Sequence, residues 1–77
     1  MQVDDIKSRI EQGLPGSRVH VEGDGHHFEA VVIHPDFAGK SRIQQHRMVY
    51  QALGDSFRDG SLHALSLKTR TPEQADS

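Results

Sequence analysis

Arg18-Val-His-Val-Glu-Gly23-Asp-Gly-His-His-Phe28-Glu-Ala-Val-Val-Ile-His34-Pro35 is the stretch on which the architecture of this chain turns. Val19 and Val21 alternate with Arg18, His20 and Glu22, the pattern of a half-buried strand. Asp24-Gly25 follows, a pair that accepts the backbone of a tight hairpin turn. Phe28 to His34 is rich in β-branched residues and reads as the partner strand. Pro35 ends it, because proline has no N–H to give to a ladder.

N-terminal to this hairpin, Val3, Ile6, Ile10 and Leu14 recur at steps of three and four, which predicts an amphipathic helix over about residues 2–13. Gly13, Pro15 and Gly16 stop it. C-terminal to it, residues 35–40 read as a loop, and Ser41 with Gln44 spells a capping box at the start of a second helix. Ile43, His46, Val49, Tyr50, Leu53 and Phe57 make its apolar stripe. Gly54 interrupts the stripe, so a long helix followed by one short extra turn is expected, with Asp59-Gly60 as the exit.

Leu62 to Thr69 reads as a last strand, with His63, Leu65, Leu67 and Thr69 on one face. Thr71-Pro72-Glu73 is followed by too little chain to pack a helix, so the tail is expected to be loose. The predicted fold class is α+β: a two-layer αββααβ unit with a three-stranded mixed sheet and helices on one face. The hairpin supplies the antiparallel pair, and the helical crossover sets the last strand parallel.

A chain of 77 residues makes one domain, and with 34% apolar residues and a mean hydropathy of −0.65 its core is thin. A deep substrate cavity does not fit beside such a core, so a binding protein rather than an enzyme is expected. No apolar run approaches the ~20 residues that span a bilayer. The first residues resemble neither a secretory signal nor a transit peptide. Cysteine is absent, which fits a reducing compartment, so a cytoplasmic protein without a membrane role is expected.

The formal net charge of −2 supplies no overall basic field for nucleic acid. Six histidines are the main chemical tools, and their protonation reverses that sign. Gly39-Lys40-Ser41 resembles the end of a phosphate loop, but His34 stands where the first glycine belongs. Gly13-Leu-Pro-Gly16 spells a G-x-x-G clamp, yet it lies between a helix and a strand rather than between two helices. Neither a G-x-S-x-G elbow nor an H-E-x-x-H zinc motif occurs. Lys40, Arg42, His46 and Arg47 cluster around the second helix start and suit phosphates or an acidic partner. Aromatic residues are only 5%, so base-stacking platforms are scarce. His26 and His27 at the end of the hairpin loop and His63 at the start of the last strand are placed to meet at one end of the sheet. His20, His34 and His46 are weaker candidates, on strands or on the apolar stripe.

Gly23-Asp-Gly-His-His-Phe28, Phe37-Ala-Gly-Lys-Ser41, Gln45-His-Arg-Met-Val-Tyr50-Gln-Ala-Leu53 and Leu62-His-Ala-Leu-Ser-Leu-Lys-Thr69, with Thr71-Pro72 after them, resemble the BolA-like protein family across nearly the whole chain. The resemblance implies a class II KH-like domain over residues 1–72, with 73–77 as a loose tail. It implies two roles. One is partnership with a monothiol glutaredoxin around a shared [2Fe–2S] cluster, in iron–sulfur trafficking or iron-responsive regulation. The other is a nucleic-acid-binding transcriptional regulator of stress response and cell shape.

By position His63 matches the family's cluster-binding histidine, and the second ligand comes from the hairpin loop. His26 and His27 are both open for that place, with the Asp24 carboxylate a remote third choice. A chain without cysteine supplies no thiolate, so the partner and glutathione must bring them, and the protein alone is expected to hold no cluster. In the second role Lys40, Arg42, Arg47, Lys68 and Arg70 would contact the phosphates of DNA. A monomer, or at most a weak dimer, is expected for the chain alone.

Overall fold

The computed structural model describes residues 2–24, 26–54 and 65–76. Helix α1 spans Val3–Gly13, and its free N-terminal amides are met early: the Gln2 N–H donates to Asp5 Oδ2 at 3.0 Å. Asp4 and Asp5 also suit the positive end of the helix dipole. Ile6 and Ile10 are fully buried, and the Leu14 N–H closes the helix on the Ile10 carbonyl at 2.8 Å. Gly13 does more than end the helix. A Cβ at this position would lie 2.4 Å from the Ala52 Cβ, so the absent side chain is what allows α1 to touch α2.

Strands β1 (Arg18–Gly23) and β2 (Phe28–Ile33) form the expected antiparallel hairpin, and β3 (Leu65–Arg70) lies parallel to β2. The sheet order is β1-β2-β3, which makes β2 the central strand. Period-two alternation then sorts the side chains. Val19, Val21, Phe28, Ala30, Val32, Leu65, Leu67 and Thr69 form the inward rows, against which α1 and α2 pack. Among the described residues the opposite face is the open one. It carries Arg18, Ile33 and Arg70 in one cross-strand row, His20, Val31 and Lys68 in the next, and Glu22, Glu29 and Ser66 in the third.

A short 3-10 turn over Pro35–Phe37 follows β2 and drops Phe37 into the core. His34, only 4% exposed, organises it: its Nδ1 accepts from the Asp36 N–H at 2.9 Å and its Nε2 lies 3.1 Å from the Pro15 carbonyl. This arrangement requires the Nε2–H tautomer, in which the ring ties the turn to the loop after α1. Helix α2 (Arg42–Leu53) opens with the capping box read in the sequence, the Gln44 N–H donating to Ser41 Oγ and the Ser41 N–H to Gln44 Oε1. Gly54 closes it at φ 68°, a left-handed conformation that a side chain would strain. The expected extra turn and the exit at Asp59-Gly60 lie outside the described residues.

Two expectations change. Ile43 is 67% exposed, so the apolar stripe of α2 does not begin there. The buried face runs through Gln45, Val49 and Leu53, because the Thr69 hydroxyl donates to Gln45 Oε1 at 2.5 Å and turns that side of the helix toward β3. The chain after Thr71 also forms a helix, α3 (Pro72–Asp76), where a loose tail was expected. Thr71 and Gln74 cap it reciprocally, the Gln74 N–H on Thr71 Oγ1 and the Thr71 N–H on Gln74 Oε1, and none of its residues is buried. None of the described helices is long and apolar enough to cross a membrane.

Candidate functional site

The parallel pairing of β2 with β3 puts the starts of both strands at one end of the sheet, with Phe28 opposite Leu65. The β1–β2 turn lies at this end. Asp24 builds it: Oδ1 accepts the His26 N–H at 2.9 Å and the His27 N–H at 2.8 Å, and the Asp24 N–H returns to the His27 carbonyl at 3.2 Å. The His27 amide, and then the His26 amide, hold the Asp24 carboxyl below its ordinary range and keep it ionised. His26 and His27 thus stand exposed on a fixed backbone. His27 Nε2 lies 3.1 Å from the Ser66 hydroxyl, a bond that reaches from the turn to β3. Glu22, Gly23, Asp24, His27 and Glu29 line a shallow hollow of about 230 Å³ beside it. His63, two positions before Leu65, lies outside the described residues.

Asp24 is committed to holding the turn, which leaves His26 and His27 as the nitrogen donors there. Among the described residues no three of His, Cys, Asp and Glu converge as a metal site. The donor set therefore fits a cluster only as a part of its shell: imidazoles from this chain, thiolates from elsewhere.

The second candidate lies toward the other end of β3. A cleft of about 500 Å³ between β3, α3 and the start of α2 is lined by Lys40, Arg42, Lys68 and Arg70, with Gln45 and His46 on its α2 side. Four of the five cations singled out in the sequence thus come together, from segments nearly 30 residues apart in the chain, while Arg47 stays outside the cleft. Gln45 is the brace. Its Nε2 donates to the Phe37 and Lys40 carbonyls, each at 3.0 Å, while its Oε1 takes the Thr69 hydroxyl. His46 stands edge-on to Tyr50, with ring centres 6.4 Å apart. Partial burial, and then the Arg42 charge, push its pKa down from the ordinary 6.5.

Sequence reasoning missed Asp24 as the organiser of the turn and Ser66 as the partner of His27. An Asp whose side chain bonds amides two and three residues on is a readable turn signal. The Ser66 contact spans 39 residues and has no local signal. Of the remaining histidines, His20 pairs with Glu22 at 2.8 Å on the open face and His34 serves the core, as described.

The family model for BolA-like proteins matches residues 5–74. The acid stress protein IbaG of Escherichia coli is 35% identical over 74 residues, covering 96% of this chain and 88% of that protein. The structure of a BolA homologue from Coxiella burnetii is 52% identical with a TM-score of 0.85, covering 100% of this chain and 99% of the other. The BolA domain of SufE1 from Arabidopsis thaliana is 29% identical with a TM-score of 0.74, covering 95% and 96%. Together with the αβ order, the mixed sheet and the histidine-bearing turn, these matches establish that the chain belongs to the BolA-like family.

Proposed function

We propose that this protein contributes histidine ligands to a [2Fe–2S] cluster shared with a cytoplasmic monothiol glutaredoxin, in iron–sulfur trafficking or iron-responsive regulation. The observation that carries this reading is the parallel register of Phe28 with Leu65, which sets the start of β3 beside the turn that presents His26 and His27. His63, two residues before β3 in the sequence, is the first ligand in this reading. His27 is the better second ligand. The Nε2 contact with Ser66 holds the ring in place, and in the tautomer that donates Nε2–H to that hydroxyl Nδ1 keeps a lone pair for iron. His26 shows no such bond to β3 and ranks behind it.

When bound, the cluster supplies a labile, redox-active iron pair. The work of this chain is to hold two imidazoles in place and to leave the thiolate positions to its partner and glutathione. The test is anaerobic mixing with a monothiol glutaredoxin, with iron and sulfide counted. The expected result is a mixed complex with a shifted visible circular dichroism spectrum that His63→Ala abolishes and His27→Ala weakens. A stoichiometric cluster on the isolated protein, or a spectrum unchanged in His63→Ala, overturns the reading.

The cationic cleft favours a second reading, a nucleic-acid-binding regulator in which Lys40, Arg42, Lys68 and Arg70 meet DNA phosphates. Its binding falls steeply with salt. A gel shift that is absent at low salt removes it.

A further inference from the structure

We infer that the free edge of β3 takes an extended acidic segment of a partner protein as a fourth strand. In a strand the N–H and C=O of one residue point to the same edge, and those of the next point to the other. The Arg70 carbonyl accepts from the His34 N–H on the β2 side at 3.1 Å. Lys68 and Ser66 therefore share that side, and Leu67 and Thr69 turn their backbone groups to the outer edge. Among the described residues no strand pairs there, because the sheet order ends at β3. Among the described residues the Thr69 carbonyl is met only by the Arg70 guanidinium, at 3.3 Å.

The charge around this edge defines the occupant. Lys68 and Arg70 stand on the open face of the sheet, while Lys40 and Arg42 stand at the start of α2 on the helix side. Arg42 and Lys68 make no hydrogen bond or ion pair among the described residues. Lys40 uses one of its three ammonium hydrogens, on the Asp36 carbonyl at 2.7 Å. The cleft lining includes no carboxylate. Side chains of an added strand alternate between the two faces. Acidic residues at successive positions would thus meet Lys68 and Arg70 on one side and Lys40 and Arg42 on the other. A second copy of this chain fits poorly, since β3 against β3 brings like cations face to face. A phosphodiester strand offers acceptors only and cannot reciprocate the N–H and C=O groups of Leu67. Among the described residues no Phe, Tyr or Trp lines the cleft to stack a base, and the His46 ring stands edge-on to Tyr50.

This surface lies at the far end of β3 from the histidine turn, so the test is run without glutaredoxin or iron. The probe is a fluorescein-labelled octapeptide of Glu, Asp and Val, compared with the same peptide N-methylated at alternate residues and with a single-stranded oligonucleotide of equal charge. The expected result is saturable binding of the plain peptide, with amide NMR shifts at Leu67 and Thr69. Lys68→Glu/Arg70→Glu and Arg42→Glu, each folded by circular dichroism, should weaken it at least about tenfold, the loss expected of charges paired across an interface. The N-methylated peptide should fail to bind. Three results overturn the proposal: no binding of the plain peptide, equal binding of the N-methylated peptide, or tighter binding of the oligonucleotide.

Discussion

Gly13 sits where two helices meet, and its hydrogen is all that separates the α1 backbone from Ala52. Gly13→Ala should therefore destabilise the protein by about 1–3 kcal/mol, the cost of overpacking, despite alanine's higher helix propensity. Urea unfolding measures this, and a stabilised variant would show that α1 and α2 are not held so close. His46 has the opposite kind of sensitivity. Its folded-state pKa lies below the ordinary 6.5, so as pH falls through that value the unfolded chain takes up the proton first. The stability His46 contributes is present above pH 6.5 and is lost on acidification toward its lower folded pKa. Unfolding midpoints measured across this range should fall more steeply for the native protein than for His46→Gln; superimposed curves would remove His46 as the source. Both residues show the limit of reading a chain alone. Gly13 reads as a helix stop, because Ala52 becomes its neighbour only through the fold, and His46 reads as part of a stripe and of a basic cluster with Arg42, without the partial burial that lowers its pKa.

At the scale of elements, short-range chemistry was the legible part. The β1–β2 hairpin, the Ser41–Gln44 box and the Gly54 stop each depend on residues within a few positions, and each occurs as read. Val49 and Leu53 were read in the stripe of α2 and are buried, but the inward place of Gln45 was not legible, because its partner Thr69 lies on β3. Thr69→Val keeps the shape and leaves the Gln45 oxygen without its donor, so a loss of about 1–3 kcal/mol is expected in chemical denaturation. A neutral outcome would mean that apolar packing alone orients α2. The histidine turn depends in the same way on Asp24. The carboxylate's hold on the His26 and His27 amides persists above the ordinary carboxyl pKa of 3.8 and is lost as pH falls through its lowered value. In Asp24→Ala those two amides should exchange with deuterium faster at neutral pH while the β2 amides stay protected. Unchanged exchange would show that the turn holds itself. Of the candidate site, the loop histidines and four of the cations could be named in advance, but Ser66 and the sorting of Arg47 away from the cleft required the sheet register.

For the whole molecule, the described core is built from aliphatic and phenyl side chains, with His34 and Thr69 as its buried polar members. Nothing in it calls for iron. Thermal unfolding of the isolated protein should be unchanged by a chelator, and a lowered midpoint would show a structural metal. The two candidate surfaces divide the sheet: imidazoles at the start of β3 and cations toward its end.

The His27–Ser66 contact joins positions 39 apart in sequence, and the cations of the cleft are similarly scattered along the chain. Neither surface survives unfolding, so whatever binds it binds the native state alone. Occupancy and stability are then one thermodynamic quantity: at a partner concentration of 100 Kd the folded form gains about 2.7 kcal/mol. For a small domain with a thin core this is a large share of its total stability. The cellular lifetime of the protein should therefore follow the abundance of its partner, with the unbound fraction the first to be cleared by proteolysis.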